Sequence, residues 1–457
     1  MRTEPLTETT TIPSRPGPTT PTPGRPRRGP RRRELRRTRR LTRRSAFGRH
    51  PVRTGILVVL VALSPVWVSL GSALTDRSLG SSLAARGAEW VRSHGGASVV
   101  AWIENQWYSH HPPKVGGAPS RSAIPSFGAS GSTSATAGSS TPPTAGTSTS
   151  HHTAATHPAA THPAATEPTA PAGLQALPPP ASLVPFAHPA LAGEGVWHPV
   201  GRRVNGTPAV YETFLRPDAV HTSYVIGLAW FDTKLLSARL YSGSYIPGGG
   251  PYTYTAPVSP AASHTLVAAF NAGFRMQDAL GGYYTQHKLV IPLRIGGASF
   301  VIYKNGTANI GAWGTEVRMT PQVQSVRQNL VLLVDNGKPA PNLNANDTSV
   351  WGATLGNQVY VWRSGIGITK DGALVYVGGP GLNITDLANL LVRAGAIRAM
   401  ELDINTDWVN LATFHPATPT GAATPANGTD LLPNMTEPPS VWFASWWTRD
   451  FFTMSAR

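Results

Sequence analysis

The apolar positions change their spacing several times along this chain, and each change marks a different kind of segment. Residues 55–74 are twenty successive uncharged residues that include the runs ILVVLVAL and VWVSL. As a helix rising 1.5 Å per residue they span about 30 Å, the hydrocarbon thickness of a bilayer, and Pro65 is tolerable in such a helix. The pattern predicts a transmembrane helix over 55–74. A signal peptide ending near Gly71-Ser72-Ala73, a poor cleavage site, is the alternative. Beyond it, Leu83, Gly87, Trp90 and Val91 fall at helical spacing, as do Val99, Ile103 and Trp107, with Gly95-Gly96 between the two sets. Residues 75–111 therefore read as two short juxtamembrane helices, whose Trp90, Trp102, Trp107 and Tyr108 suit a membrane–water boundary or a protein surface.

From about residue 183 the apolar runs shorten. Those at 224–231, 235–241, 266–270, 300–303, 330–334 and 359–362 read as strands. Asn305-Gly306, Asn336-Gly337 and Asp371-Gly372 supply the tolerance of positive φ that tight hairpins need. One helix is legible, with Thr385 as its cap, Asp386 in its first turn and Gly395 as its stop. Leu387, Leu390, Leu391 and Ala394 form its apolar face. Residues 397–402 follow as a strand, so 183–457 is expected to be one α+β domain dominated by sheet.

Composition separates the remaining segments. Residues 112–182 are rich in Ser, Thr, Pro, Ala and Gly, and from Ala154 the unit AATHP repeats as AATHP, AATHP, AATEP. This is a linker composition, and its His151, His152, His157 and His162 read as solvated side chains rather than as a metal site. A flexible chain of that length reaches roughly 50 Å. Residues 1–54 hold 16 arginines, no lysine and three glutamates, and so carry most of the net charge of +16. Self-repulsion keeps such a tail disordered, and arginine before the apolar run places the N-terminus in the cytoplasm and the domain outside the cell membrane. The expected contacts are the bilayer through 55–74 and anionic lipid near 25–53, with no nucleic acid partner. The chain has no cysteine, so an exported domain must draw its stability from its core rather than from disulfides.

Three segments set polar residues at strand ends: LVAAFNAGF at 266–274, RSGIGITKDGALVYV at 363–377 and GLNITDLANLLVRAGAIRAMELD at 381–403. In this order they resemble the phosphodiester glycosidase family. Its pattern has an N-G-G-F-F-like strand end, an R-x-x-x-G hairpin with a D-G or E-G turn, and a helix leading into L-D-G-G-G-S. The resemblance implies a membrane-anchored glycosidase acting outside the membrane on a sugar-1-phosphodiester in an envelope polysaccharide or glycolipid. A saccharide or glycosyl phosphate is then the substrate, and no cofactor or metal is implied. Asp403, Arg363, Asn271 and the nearby Glu401 become the expected catalytic residues, with Gly273, Gly367, Asn383 and Asn405 around the substrate. After Asp403 the family has a glycine-rich turn, whereas this chain reads Ile404-Asn405-Thr406-Asp407-Trp408. Glycines let backbone amides approach an anion closely, so this departure alters the phosphate subsite.

The residue types suit the chemistry. The phosphate group leaves readily as an anion, and the harder task is to stabilise a cationic anomeric carbon, which a carboxylate such as Asp403 does. Arg363 would hold phosphate oxygens bidentately, and Asn271 would orient a hydroxyl or a water. Glu401 and Asp403, two apart on a strand, would point to one face about 7 Å apart, which leaves retention and inversion both open. Blander readings stand beside these: Arg363 in a structural ion pair, Asp403 as a turn cap, the domain as a non-catalytic carbohydrate-binding or scaffolding module. The aromatics at 442–452 are core packing or a sugar-stacking platform. Asn342, Asn344, Asn346 and Asp347 alternate like a calcium loop but lack its glycine, which excludes an EF-hand.

Overall fold

The computed structural model describes residues 59–76, 79, 83–96, 98–100, 102–103, 113–127, 175–341, 343–352 and 359–457. The arginine-rich tail, residues 55–58 of the apolar run and linker residues 128–174 lie outside the described residues. Two compact units are present, residues 1–64 and 65–457.

Among the described residues the strands begin at His198. The first five are β1 (His198–Val204), β2 (Thr207–Leu215), β3 (Ile226–Phe231), β4 (Leu236–Tyr241) and β5 (Leu266–Asn271). Then come β6 (Tyr283–Thr285), β7 (Lys288–Ile291), β8 (Ala298–Tyr303), β9 (Ala308–Ala312), β10 (Val323–Gln328), β11 (Leu332–Asp335) and β12 (Lys338–Pro339). The last six are β13 (Val361–Thr369), β14 (Leu374–Leu382), β15 (Ala396–Glu401), β16 (Leu411–Phe414), β17 (Gly428–Asp430) and β18 (Phe451–Ala456). They pair antiparallel in three sheets, ordered β1-β2-β3-β14-β13-β15-β11-β12, β7-β6-β10-β8-β9 and β17-β16-β5-β18-β4. The domain is sheet-dominated with few helices, as its short apolar runs predict.

The sheets bury one main core that includes Phe214, Phe231, Phe270, Phe300, Tyr376 and Met400. A second core lies where the helix Ile384–Arg393 covers the first sheet, with Leu387, Leu390 and Leu391 against Val375 and Ala399. This helix starts two residues ahead of the sequence expectation, and its cap is Asn383 rather than Thr385. The Asn383 Oδ1 accepts from Asp386 N at 2.8 Å, satisfying one of the orphan amides of the first turn. Gly395, at φ 93°, ends it as expected. Gly378-Gly379-Pro380-Gly381 belongs to β14 and is not a loop. A Cβ on Gly379 would meet the Ile226 backbone at 3.0 Å, so glycine permits the close β3–β14 approach.

The expected transmembrane run 55–74 is described only from residue 59 onward. Among the described residues no helix is long and apolar enough to cross a membrane. Within 59–74 the regular helix is Ser64–Thr75 (α1), with residues 59–62 forming a separate helical turn before it. Pro65 has no N–H to give Val61 O, which accepts the Ser64 hydroxyl instead at 2.7 Å. Val66, Trp67 and Val68 of α1 are exposed. Leu83–Val91 (α2) follows, and Gly95 at φ 86° ends the helical run near the expected division.

Part of the expected linker also belongs to the folded unit. Ala123, Ile124 and Phe127 pack on the main core, Gly116 N donates to Val220 O at 2.7 Å, and the Phe127 ring stacks on His198 at 4.6 Å. Leu177 is buried, and its N–H donates to Asp232 Oδ2 at 2.8 Å. These few apolar side chains suffice to dock segments whose composition otherwise reads as solvated.

Candidate active site

Strand register brings the ends of the three motif segments together. In the β13–β15 ladder Gly365 pairs with Glu401. The pairing continues past the end of β15, where Ser364 N donates to Asp403 O and Leu402 N donates to Ser364 O, each at 2.8 Å. The Ser364 hydroxyl accepts from Asp403 N at 3.1 Å and from Asn271 Nδ2, at the end of β5, at 3.0 Å. Asn271 Oδ1 accepts from the Tyr376 hydroxyl at 2.8 Å and from Asn410 N at 3.1 Å. Both ends of this buried amide are thus held, which fixes its orientation.

Asp403 is almost fully buried. Its Oδ1 accepts from Ile404 N at 2.8 Å and Asn405 N at 3.2 Å, and its Oδ2 accepts from Arg449 Nη2 at 2.6 Å. Burial lifts the carboxyl to about 6, while Arg449 and the two amides resist a larger rise. Asp403 is therefore ionised at neutral pH. Arg449 also donates to Gly273 O at 3.3 Å and lies 4.8 Å from the Trp408 ring centroid. Ile404 packs beside Phe274 and Leu330. Where the resembling family carries glycines, the amides here close on the Asp403 carboxylate and the Ile404 side chain fills an apolar niche.

Arg363 and Glu401 lie on the other face, toward the helix Ile384–Arg393. A Cβ on Gly365, which shares their side of the ladder, would meet Leu391 at 3.0 Å. Arg363 Nη1 donates to Glu401 Oε1 at 2.5 Å, its Nε to Leu382 O at 3.1 Å and its Nη2 to Val359 O at 3.4 Å. Every guanidinium nitrogen is engaged within the protein. Burial raises Glu401 to about 7, opposed by Arg363. The two carboxylates consequently do not form a facing pair. Each has its own guanidinium, because Leu402 and Asp403 both bond to Ser364, and this slip in register turns the Asp403 side chain toward Arg449.

The remaining expected residues sit around this frame. Gly273 admits Asn329, whose side chain would lie 2.8 Å from a Cβ there and whose Nδ2 donates to Glu401 O and Leu402 O at 2.9 and 3.0 Å. A Cβ on Gly367 would lie 2.6 Å from that of Ala396, which makes this glycine a packing requirement. Asn383 is the helix cap described above, and the Asn405 Oδ1 accepts from Asp407 N at 2.9 Å within its own turn. Of the aromatics at 442–452, Trp442, Trp447, Phe451 and Phe452 are buried, and Trp446 is exposed.

Sequence reasoning missed Ser364, Tyr376, Asn410 and Arg449. For Arg449 a signal was present: Arg449-Asp450 is a charged pair inside an aromatic run, and buried charges need partners. Both find them far away, since Asp450 Oδ2 accepts from Arg327 Nε at 2.7 Å.

No curated protein matches the chain. Among solved structures it is similar to the catalytic domain of zebrafish N-acetylglucosamine-1-phosphodiester alpha-N-acetylglucosaminidase, auto-inhibited by pro-peptide. That likeness has 17% identity, 56% of this chain, 87% of the other and a TM-score of 0.36. A hypothetical protein from Synechocystis is similar at 13% identity, over 57% of this chain and 64% of the other, with a TM-score of 0.33. A putative exported protein from Burkholderia pseudomallei is similar at 12%, over 52% and 75%, with a TM-score of 0.26. The phosphodiester glycosidase family matches residues 264–403, from the start of β5 to Asp403 and across all three motif segments. The chain carries a domain of the phosphodiester glycosidase family.

Proposed function

We propose that this domain hydrolyses a sugar-1-phosphodiester in an envelope polysaccharide or glycolipid, outside the membrane. The observation that carries this reading is the cluster of Asn271, Ser364, Asp403 and Arg449, built where the family's motif segments end. Water adds to the anomeric carbon, the bond from that carbon to the phosphate oxygen breaks, and the phosphomonoester leaves with the electron pair. The water proton passes to solvent or to the departing phosphate. Asp403, ionised at neutral pH, stabilises the positive charge at the anomeric carbon. Arg449 supplies the neighbouring cation for phosphate oxygens. Asn271 and Ser364 hold the Asp403 backbone, and Arg363 with Glu401 is a positioning pair that ties β13 to β15.

The test compares release of free sugar by the full chain from a p-nitrophenyl glycosyl-1-phosphate and from a plain p-nitrophenyl glycoside. Preference for the phosphodiester, abolished in Asp403→Asn, is expected. Preference for the plain glycoside would sink the reading.

A membrane tether through 55–74 is part of the same proposal. The arginine excess ahead of this run and the exposed Val66, Trp67 and Val68 support it. Protease added to intact spheroplasts should remove the domain and spare the tail, and the reverse pattern would overturn this orientation.

One observation favours a second reading, a carbohydrate-binding module without turnover. The Ile404 and Asn405 amides are turned to Asp403 rather than outward to an anion. Polymer affinity retained in Asp403→Asn, with no turnover by either form, would establish it.

A further inference from the structure

A second group of carboxyls lies apart from the Asp403 cluster. β1, β2, β16, β17 and residues 125–127 enclose a cavity of about 660 Å³, within the range of small-ligand pockets. Glu212 of β2 and Asp430 at the end of β17 both line it. Glu212 is 3% exposed, and its Oε1 has no hydrogen-bond partner in the protein; the same holds for Asp430 Oδ1. A buried polar atom without a partner costs about 1–3 kcal/mol, so these oxygens are not explained as structure. Thr413 eases the Glu212 charge, yet burial still pushes this carboxyl up to about 8 and Asp430 to about 7. Near neutral pH Glu212 keeps its proton and Asp430 shares its time between the two forms, so the pair donates as well as accepts.

The rest of the wall narrows the chemistry. Phe127 and Pro199 present apolar surface, and the Phe127 ring is already fixed by its stack on His198. Among the described residues no group of three or more His, Asp or Glu is placed to hold a metal ion. Carboxyls that retain protons are poor cation ligands, whereas their O–H groups donate readily to hydroxyls. Arg203 and His415 complete the polar wall, and polar groups facing the Phe127 and Pro199 surface suit a molecule with hydroxyls on one side and C–H surface on the other.

We propose that this cavity is a saccharide subsite that takes a neutral glycosyl unit, its hydroxyls on Glu212 and Asp430 and its apolar face against Phe127. It is separate from the Asp403 cluster. β16 connects the two, since Asn410, just ahead of it, bonds Asn271 and Thr413 lines the cavity, roughly 10 Å along the strand. A polymer is thereby held at one place while another part of it lies at Asp403. The subsite does not depend on the hydrolytic reading.

The full chain would be titrated with the methyl glycosides of glucose, galactose, mannose and N-acetylglucosamine, with binding followed by ligand-observed NMR. At least one should bind, with affinity reduced about tenfold or more in Glu212→Gln and in Phe127→Ala. Asp403→Asn should bind as the wild type does, even if it loses all turnover. Glu212→Gln should unfold in denaturant as cooperatively as the wild type, which shows that it folds whether or not the chain turns over a phosphodiester. No binding of any glycoside, or equal binding by the wild type and both cavity variants, would overturn the subsite. Calcium binding by the wild type that disappears in Glu212→Gln would overturn it in favour of a cation site.

Discussion

Arg449 reaches back 46 residues to donate to Asp403 Oδ2 at 2.6 Å, and it is the main group opposing the rise of this buried carboxyl. In Arg449→Met the carboxyl loses that opposition and rises above its present value of about 6. If the carboxylate is the active form, wild-type kcat/KM falls as pH drops through about 6, and the variant loses activity from a higher pH. The pH profile of kcat/KM checks this. An acid limb that stays in place or moves to lower pH would show that Arg449 does not set the charge of Asp403.

Arg363 and Glu401 are expected to matter for stability more than for binding phosphate. Arg363→Ala leaves Glu401 buried without its partner, at a cost of about 3–5 kcal/mol. Replacing both, as Arg363→Met with Glu401→Leu, should restore part of that loss, because two apolar groups need no partners. Denaturant unfolding of the two single variants and the double variant measures the coupling. A substrate KM raised tenfold in Arg363→Ala at unchanged stability would instead show direct phosphate contact.

The sheet-dominated fold was legible wherever burial expresses itself as short apolar runs, as in β3, β4, β5 and β8. It was hidden where polar residues are buried. β10 reads VQSVRQ, yet Arg327 and Gln328 are fully buried because Asp450 and backbone carbonyls satisfy them. β14 was half hidden by glycines that look like a loop and instead let β3 approach. At the candidate site, Asn271 and Asp403 stand out through their motifs. Ser364 and Arg449 do not, since register and tertiary return bring them there. The charged pair Arg449-Asp450 shows that partners are needed, but no local pattern says which ones.

Ile404 gives a test of the altered turn. Its amide donates to Asp403 Oδ1 while its side chain packs beside Phe274. Ile404→Gly should destabilise the domain by roughly 2–4 kcal/mol through lost burial and added backbone freedom. It should leave KM for a phosphodiester within about threefold, because the amide remains directed at Asp403. Thermal unfolding and steady-state kinetics read the two effects separately. A tenfold lower KM would mean that the glycine frees the amide for phosphate and that Ile404 blocks an anion subsite.

The cavity carboxyls give the protein a stability that depends on pH in a definite direction. Glu212 titrates at about 8 in the folded protein against an ordinary 4.5, and Asp430 at about 7 against 3.8. Arg203 and His415, the other ionisable groups lining the cavity, do not hold these carboxyls down. Between the two values for each group the folded protein binds more protons than the unfolded chain. Stability therefore falls as pH rises through that window, by up to roughly 1.4 kcal/mol per pH unit for one fully buried group. For Glu212 the contribution is complete below about 4.5 and gone above about 8. Glu212→Gln removes its share of the slope, so the variant should gain on the wild type steadily from pH 5 to pH 8. Asp430, less buried, should show a weaker effect that ends near pH 7 in Asp430→Asn. Denaturant midpoints at pH 5, 6.5 and 8 suffice. Parallel curves for the wild type and Glu212→Gln would mean that Glu212 ionises as freely in the cavity as in water, and a variant that loses ground with rising pH would mean that its carboxylate has a stabilising partner there.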